Sequence, residues 1–510
     1  MLRIAKTETG MVRGFPGTDA RVTVFKGIPF ADNTSGDNRW KAPQPAKAWE
    51  GIRDCYEFAP ISMQNTPGKD PEAFYSKEWH VDSNVAMSED GCLALNIWSP
   101  AKSADEKLPV MVWIFGGGLQ EGYAYEMEFD GERIASRGVI LVTVAYRVNV
   151  FGFLFHPELT AENPEAPGNF GFLDQKAGIE WVKRNISNFG GDPDNITILG
   201  QSSGGVSVFS QMCSPQTEGL FQKAIIQSSA GGSVSAVIPT VGRFAKEMSL
   251  EEAEQVGVKF FEELGVKTLA EARKLDAKFV LNKMLEGKYF FTSVPDGKFM
   301  TKSIKDYIYD NELHDVPFML GYTGNEVVMA PKGETIAEME EWIKGAYADY
   351  ADEYIALTKE IAGDDAEAFK KAASTNLNNL ATRFIADEAA AQGRKVFAYA
   401  FDPEMPGDDA GSFHSSDLWF SFETLMKCWR PFTGKHYDLA RNMCNYWTNF
   451  AKNGDPNGND ADGTPMVTWR QYTLEDRNVI DFFDTIAMEN DGPAKNFDLI
   501  IKANTDAFKK

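Results

Sequence analysis

Residues 195–206 read Asn-Ile-Thr-Ile-Leu-Gly-Gln-Ser-Ser-Gly-Gly-Val: a short β-rich run, a Gly-x-Ser-x-Gly, and a helix-compatible stretch. A serine hydroxyl is a poor nucleophile until something exposes it and something else takes its proton. A sharp strand-to-helix turn does the exposing, and glycines two residues either side, here Gly200 and Gly204, let the backbone bend without side-chain collision. The turn also sets Ser202 at a helix N-terminus, where free N–H groups favour developing negative charge. The competing reading is a glycine-rich turn with an incidental serine. The position of the motif, where a strand should end and a helix begin, argues for Ser202 as the nucleophile.

Acyl transfer to a serine needs donors aimed where the carbonyl oxygen becomes negative. Residues 109–119, Pro-Val-Met-Val-Trp-Ile-Phe-Gly-Gly-Gly-Leu, place three glycines just beyond an apolar strand. Bare backbone there can approach a reacting carbon, so Gly117 and Gly118, with the amide of Ser203, are the candidate oxyanion donors. A phosphate-binding loop would require a following Gly-Lys-Ser/Thr, which is absent. In an α/β arrangement of this kind the order along the chain is serine, acid, histidine. His80 and His156 precede Ser202, leaving His314, His414 and His436. His414 falls in a small-residue loop, Gly411-Ser412-Phe413-His414-Ser415-Ser416, after a strand at Val396–Phe401, and is the candidate base. His436 reads as a surface turn. The acid is open on spacing, since 74 carboxylates compete. Glu326 stands out because it follows a strand at Val316–Gly321, and functional acids sit at the carboxyl ends of strands.

The elements that must hold these residues alternate in type. Leu95–Ser99, Leu108–Phe115, Val139–Tyr146 and Lys223–Ser228 are apolar, β-branched runs of buried-strand type. Gln175–Asn188 and Ser203–Met212 read as helices between strands, which indicates an α/β fold with a largely parallel sheet. From about 240 to 395 the texture turns helical, with patterns over Glu247–Leu264, Thr268–Leu285, Thr335–Ile361 and Asp365–Arg394. We read this stretch as a helical cap and flanking helices within one domain, 1–510. No repeat or linker interrupts it.

The net charge of −23 argues against nucleic acid or anionic membranes as partners. The longest apolar runs are strand-sized, far short of a membrane span. Five scattered cysteines without Cys-x-x-Cys suit a reducing cytoplasm, and three N-glycosylation sequons (Asn33, Asn185, Asn195) read as accidental. Five histidines without ligand-like spacing give no zinc site, so neither metal nor cofactor is expected.

The chain resembles the type-B carboxylesterases, the cholinesterase-like branch of the α/β-hydrolase fold, and in particular the bacterial para-nitrobenzyl esterase-like members. The match runs from about Thr7 to beyond residue 470. It includes Phe25-Lys26-Gly27-Ile28-Pro29-Phe30-Ala31, Lys41-Ala42-Pro43-Gln44-Pro45 and Phe189-Gly190-Gly191-Asp192-Pro193 before the nucleophile. Tyr446-Trp447-Thr448-Asn449-Phe450-Ala451 and Gly454-Asp455-Pro456-Asn457 continue it. The resemblance implies Ser202 as nucleophile, Glu326 as acid, His414 as base, and Gly117, Gly118 and Ser203 as oxyanion donors. The departures are specific. Gln201 and Ser203 stand where many members have Glu and Ala; Gln201 removes a buried negative charge and should lower the pKa of His414. Of Ser203 only the backbone amide is needed. Phe115 replaces a common His or Tyr, and Leu119 a common Phe, which widens the acyl side of the pocket. The family's cysteine is Cys92, whose usual disulfide partner position is Ser62, so that bridge should be absent, with Cys55 the less favoured substitute partner.

These residues point to a serine carboxylesterase acting on a small-molecule ester through an acyl-enzyme, as a monomer or homodimer. The alternatives are a hydrolase of another acyl bond (amide, lactone or carbamate), or a catalytically silent cholinesterase-like binding module. Trp419, Phe420, Phe422, Trp429, Phe290 and Phe291 are candidates either for an aromatic pocket or for the core.

Overall fold

Seven apolar segments that read as buried strands line up side by side in the middle of one eleven-stranded sheet. In the computed structural model, which describes residues 1–79, 83–229, 248–326, 328–490 and 498–502, the order across the sheet is Ile486–Asn490, Asn478–Phe482, Val396–Phe401, Phe318–Thr323, Lys223–Gln227, Gly191–Gln201, Leu108–Ile114, Ile140–Val144, Ala94–Ser99, Thr23–Pro29, Phe15–Pro16. The seven strands from Asn478–Phe482 to Ile140–Val144 are mutually parallel; the outer ones pair antiparallel. Val110–Ile114, Ile196–Gln201, Ala224–Gln227 and Val396–Phe401 are buried at every position, as expected for parallel strands covered on both faces. This is the α/β-hydrolase fold, with its large, mostly parallel sheet flanked by helices.

Two groups of helices flank the central strands. Phe170–Asn185, Ser203–Cys213, Ile304–Tyr309 and Leu377–Ala391 touch one another in sequence, and Glu132–Ala135, Leu418–Ser421 and Gly434–Asn453 form the second group. One contiguous buried core runs from Ala5 to Ile500. A small sheet of Ile4–Lys6, Met11–Arg13 and Ile52–Asp54 and a two-stranded ladder of Val328–Met329 with Thr375–Asn376 complete the strands among the described residues.

The helical stretch is more broken than its periodicity suggests. Three patterns read as continuous are each divided: Leu269–Ala272 from Ala277–Glu286, Ile336–Tyr347 from Ala351–Ala362, and Ala366–Ala373 from Leu377–Ala391. Two breaks have a local cause. Asp276 accepts from the Phe279 N–H, and Asn376 from the N–H groups of Asn378 and Asn379, so each starts a new helix inside an apparently periodic run. The helix expected from Glu247 is described from Leu250, its earlier residue lying outside the described residues.

Candidate active site

Ser202 sits between the strand Gly191–Gln201 and the helix Ser203–Cys213, with φ 57° and ψ −129°. A non-glycine residue in this region costs about 1–3 kcal/mol, so its surroundings must enforce it. They do so at both backbone ends. The Ser202 N–H donates to the Gln227 carbonyl at 2.9 Å, and its carbonyl accepts from the Val206 N–H at 3.0 Å. The two glycines of the motif answer to close approach. A Cβ on Gly200 would stand 2.4 Å from the Gly204 carbonyl oxygen, and one on Gly204 2.2 Å from that of Ile114.

His414 and Glu326 arrive from the carboxyl ends of neighbouring strands, Val396–Phe401 and Phe318–Thr323. Their loops are locked together: Asn325 and Phe413 form an isolated parallel bridge, with the Asn325 N–H donating to the Ser412 carbonyl at 2.9 Å. His414 Nε2 lies 2.8 Å from Ser202 Oγ, and His414 Nδ1 lies 2.7 Å from Glu326 Oε2. Serine, imidazole and carboxylate therefore form one continuous hydrogen-bonded chain. The Glu326 side chain is fully buried and its charge is met by several donors. Ser228 Oγ donates at 2.5 Å and the Thr323 N–H at 2.7 Å, both to Oε1, while Asn378 Nδ2 donates to Oε2.

Burial opposes ionisation of Glu326, but the facing His414, with the Ser228 hydroxyl and the Thr323 N–H, outweighs it and holds its pKa below the usual range. For His414, burial works against the charged form. The charge and hydrogen bond of Glu326, with Asp417 behind, overcome it and raise the pKa. Asp417 is itself pushed up to about 6 by burial, against hydrogen bonds from Gln227 and Tyr399. Gln201, in place of a charge, brings its Nε2 within 3.3 Å of His414 Nε2.

The glycine loop adopts three successive left-handed residues: Gly117 at φ 110°, Gly118 at 66° and Leu119 at 61°. A Cβ on Gly117 would collide with the Glu121 carbonyl oxygen at 2.1 Å, whereas Gly118 faces open space. Among the described residues no acceptor is paired with the backbone N–H of Gly117, Gly118 or Ser203. The loop is tied to the serine turn by a group that sequence reasoning passed over. Ser203 contributes its hydroxyl as well as its amide: Oγ accepts from the Leu119 N–H at 3.0 Å. Asn149 supports the far side, donating from its backbone to the Leu119 carbonyl and from Nδ2 to the Gln120 carbonyl.

All six predicted site residues are thus gathered at one end of the central strands. The two other candidate bases are elsewhere. His436 is a buried capping residue at the start of Gly434–Asn453 rather than a surface turn, because its Nδ1 accepts from the Thr433 N–H. His314 bonds the Ser214 carbonyl. Trp419, Phe420 and Phe422 belong to the core; Phe422 packs edge-on to Trp113 and Phe420 to Phe401. All five cysteines are free, and Ser62 spends its hydroxyl on the Val148 N–H. Ser228, Asn378 and Asp417 were missed. None lies in a recognisable motif: Ser228 arrives by strand order, Asn378 by the helix that starts after Asn376, and Asp417 by the packing of Gln227 and Tyr399 around it.

A model of the carboxylesterase family matches residues 2–499. The para-nitrobenzyl esterase of Bacillus subtilis (strain 168) is 30% identical over 513 residues, covering 96% of each chain. Among solved structures, a Geobacillus stearothermophilus carboxylesterase superposes with a TM-score of 0.77 at 30% identity over 98% of this chain and 99% of that one. A PNB esterase gives 0.76 at 27% identity over 98% and 100%.

Proposed function

The chain belongs to the carboxylesterase family of ester hydrolases, and we propose that it cleaves its ester by an acyl-enzyme route through Ser202, His414 and Glu326. The observation that carries this reading is the unbroken chain from Ser202 Oγ through both ring nitrogens of His414 to Glu326. The Nδ1 proton, held toward the carboxylate, leaves Nε2 as the acceptor facing the serine. Ser202 Oγ attacks the ester carbonyl carbon as its proton passes to His414 Nε2. The carbonyl oxygen takes the negative charge and receives hydrogen bonds from the N–H groups of Gly117, Gly118 and Ser203, each donor being worth roughly 3 kcal/mol of barrier. The ester C–O bond then breaks and the alcohol departs with the Nε2 proton. Water repeats the sequence: His414 takes its proton, the hydroxyl oxygen bonds to the acyl carbon, and the acid leaves as Ser202 regains its proton. Glu326 orients the ring and stabilises its cationic form.

Hydrolysis of para-nitrophenyl acetate, butyrate and octanoate by the wild type and by Ser202→Ala, with mass spectrometry after an organophosphonate, tests this. The expected result is chain-length-dependent turnover, lost in the variant, and an adduct on Ser202. Turnover that survives in Ser202→Ala would overturn it.

A further inference from the structure

The helix Leu377–Ala391 begins beside the carboxylate that faces His414, and its first turn is fastened to the strand that carries that carboxylate. Asn376 Oδ1 accepts from the backbone N–H groups of Asn378 at 3.0 Å and Asn379 at 3.2 Å. Its Nδ2 donates to the carbonyls of Thr323 at 3.0 Å and Gly324 at 3.2 Å, three and two residues before Glu326. The ladder between Val328–Met329 and Thr375–Asn376 closes the same junction from the other side of Glu326. The helix start is therefore gripped just before and just after the acid.

We propose that Asn378 is a positioning residue for the reaction, donating its side-chain amide to the Glu326 oxygen that also accepts from His414 Nδ1, so as to fix the carboxylate and moderate the charge the imidazole meets. The proposal rests on the Ser202–His414–Glu326 reading. A carboxylate offers about four lone-pair directions. Here Ser228 and Thr323 occupy Oε1, and Asn378 and His414 occupy Oε2. With all four taken, the carboxylate has one orientation, and the direction left to His414 is defined by the other three donors. Asn378 Nδ2 also lies 3.4 Å from the Ser228 carbonyl, so the same amide spans two of the elements that meet at the acid. An apolar residue at 378 would leave Oε2 with a single donor and the carboxylate free to rotate toward it.

The electrostatic consequence has a definite sign. The positive end of an N–H dipole sits against Oε2; removing it makes the potential at the imidazole more negative and favours its protonated form. His414 must be neutral to take the serine proton, so the acid limb of kcat/KM moves to higher pH. The other titratable groups facing the pair are Asp417, next to His414, Tyr399 from Val396–Phe401 and Tyr75 from the helix Phe74–Trp79. They are unchanged by the substitution.

The experiment is the pH profile of para-nitrophenyl butyrate hydrolysis for wild type, Asn378→Leu, Asn378→Ala and Glu326→Gln, each checked for folding by circular dichroism. The limb is expected above wild type in both Asn378 variants, by roughly half a unit. Turnover should fall severalfold with KM nearly constant. The downfield proton resonance of the His414 Nδ1–H should move in both variants. An Asn378 that serves only helix structure would lower stability and leave the limb in place in all folded variants, and that result overturns the proposal. If Asn378→Leu does not fold, the smaller Asn378→Ala carries the same test. A limb unmoved by Glu326→Gln would instead sink the triad reading. A limb moved by Glu326→Gln but not by either Asn378 variant sinks this proposal alone.

Discussion

Gln201→Glu places a carboxylate where an amide now approaches the base, and the structure sets the size of the effect. The contact is 3.3 Å from Gln201 Nε2 to His414 Nε2, with Gln201 buried and the His414 side chain 28% exposed. A unit charge at that distance interacts with an imidazolium by roughly 1.3 kcal/mol at the dielectric of water and roughly 5 kcal/mol at the effective value suited to partly buried pairs. Since one pKa unit corresponds to about 1.4 kcal/mol, the bounds are roughly one to four units. The new carboxylate is itself desolvated and its own pKa rises, so part of its charge is lost over the working range and the pair titrates together. The lower half of the interval, about one to two units, is the expected upward shift. The direction follows from the role of the ring: a negative neighbour stabilises the protonated form, and the protonated form cannot accept the serine proton. Activity at neutral pH should fall by about tenfold and recover on the alkaline plateau. The assay is the pH dependence of kcat/KM with para-nitrophenyl butyrate, comparing Gln201→Glu with wild type. An acid limb that stays in place or moves down would refute the reasoning, because it would mean that residue 201 does not face Nε2 in the working enzyme.

Two further substitutions probe the backbone that surrounds the reacting serine. Ser203→Ala removes the hydroxyl that accepts from Leu119 and leaves a buried N–H unpaired, at about 1–3 kcal/mol. If that cost falls on the left-handed glycine loop, kcat drops roughly tenfold with KM unchanged, and affinity for a trifluoromethyl ketone drops by the same factor. A lower melting temperature with intact kcat would assign the hydroxyl to stability alone. Gly204→Ala drives a Cβ to 2.2 Å from the Ile114 carbonyl oxygen and should abolish soluble expression or cut stability by about 3 kcal/mol or more. Gly345→Ala, at an exposed position of the helix Ile336–Tyr347 with nothing within 4 Å, should be neutral or stabilising by up to about 1 kcal/mol, and chemical denaturation of the two glycine variants checks both expectations.

Much of the site is legible in the sequence because its parts are local devices. The serine turn announces itself through glycines that close approach requires, and the oxyanion loop through a run of glycines after an apolar strand. His414 and Glu326 are reachable by chain order and by the rule that loops at the carboxyl ends of parallel strands carry function. What escapes is whatever depends on two elements meeting. Asn378 looks like a polar residue in a helical run, and only the break at Asn376 places it against Glu326. Asp417 looks like one of 74 carboxylates until strand order puts Tyr399 and Gln227 around it. Ser203 reads from sequence as an amide alone, because its hydroxyl matters only through a loop 84 residues earlier.

The order of the strands explains why a triad spread over more than two hundred residues needs so few special contacts. Gly191–Gln201, Lys223–Gln227, Phe318–Thr323 and Val396–Phe401 are successive neighbours in one parallel sheet. Ser202 follows the first, Ser228 the second, Glu326 the third and His414 the fourth. Parallel register brings all four carboxyl ends to the same edge, so nucleophile, supporting hydroxyl, acid and base emerge side by side before any loop contact is counted. The loops then need only a single bridge, Asn325 with Phe413, to fix the acid against the base. On this view the sheet determines which residues meet, while Asn376, Asn378 and the Ser203 hydroxyl determine how well they are aimed. Substitutions of the first kind, such as Gly204→Ala, should cost the fold. Those of the second kind should cost rate or shift the pH profile in a protein that still folds.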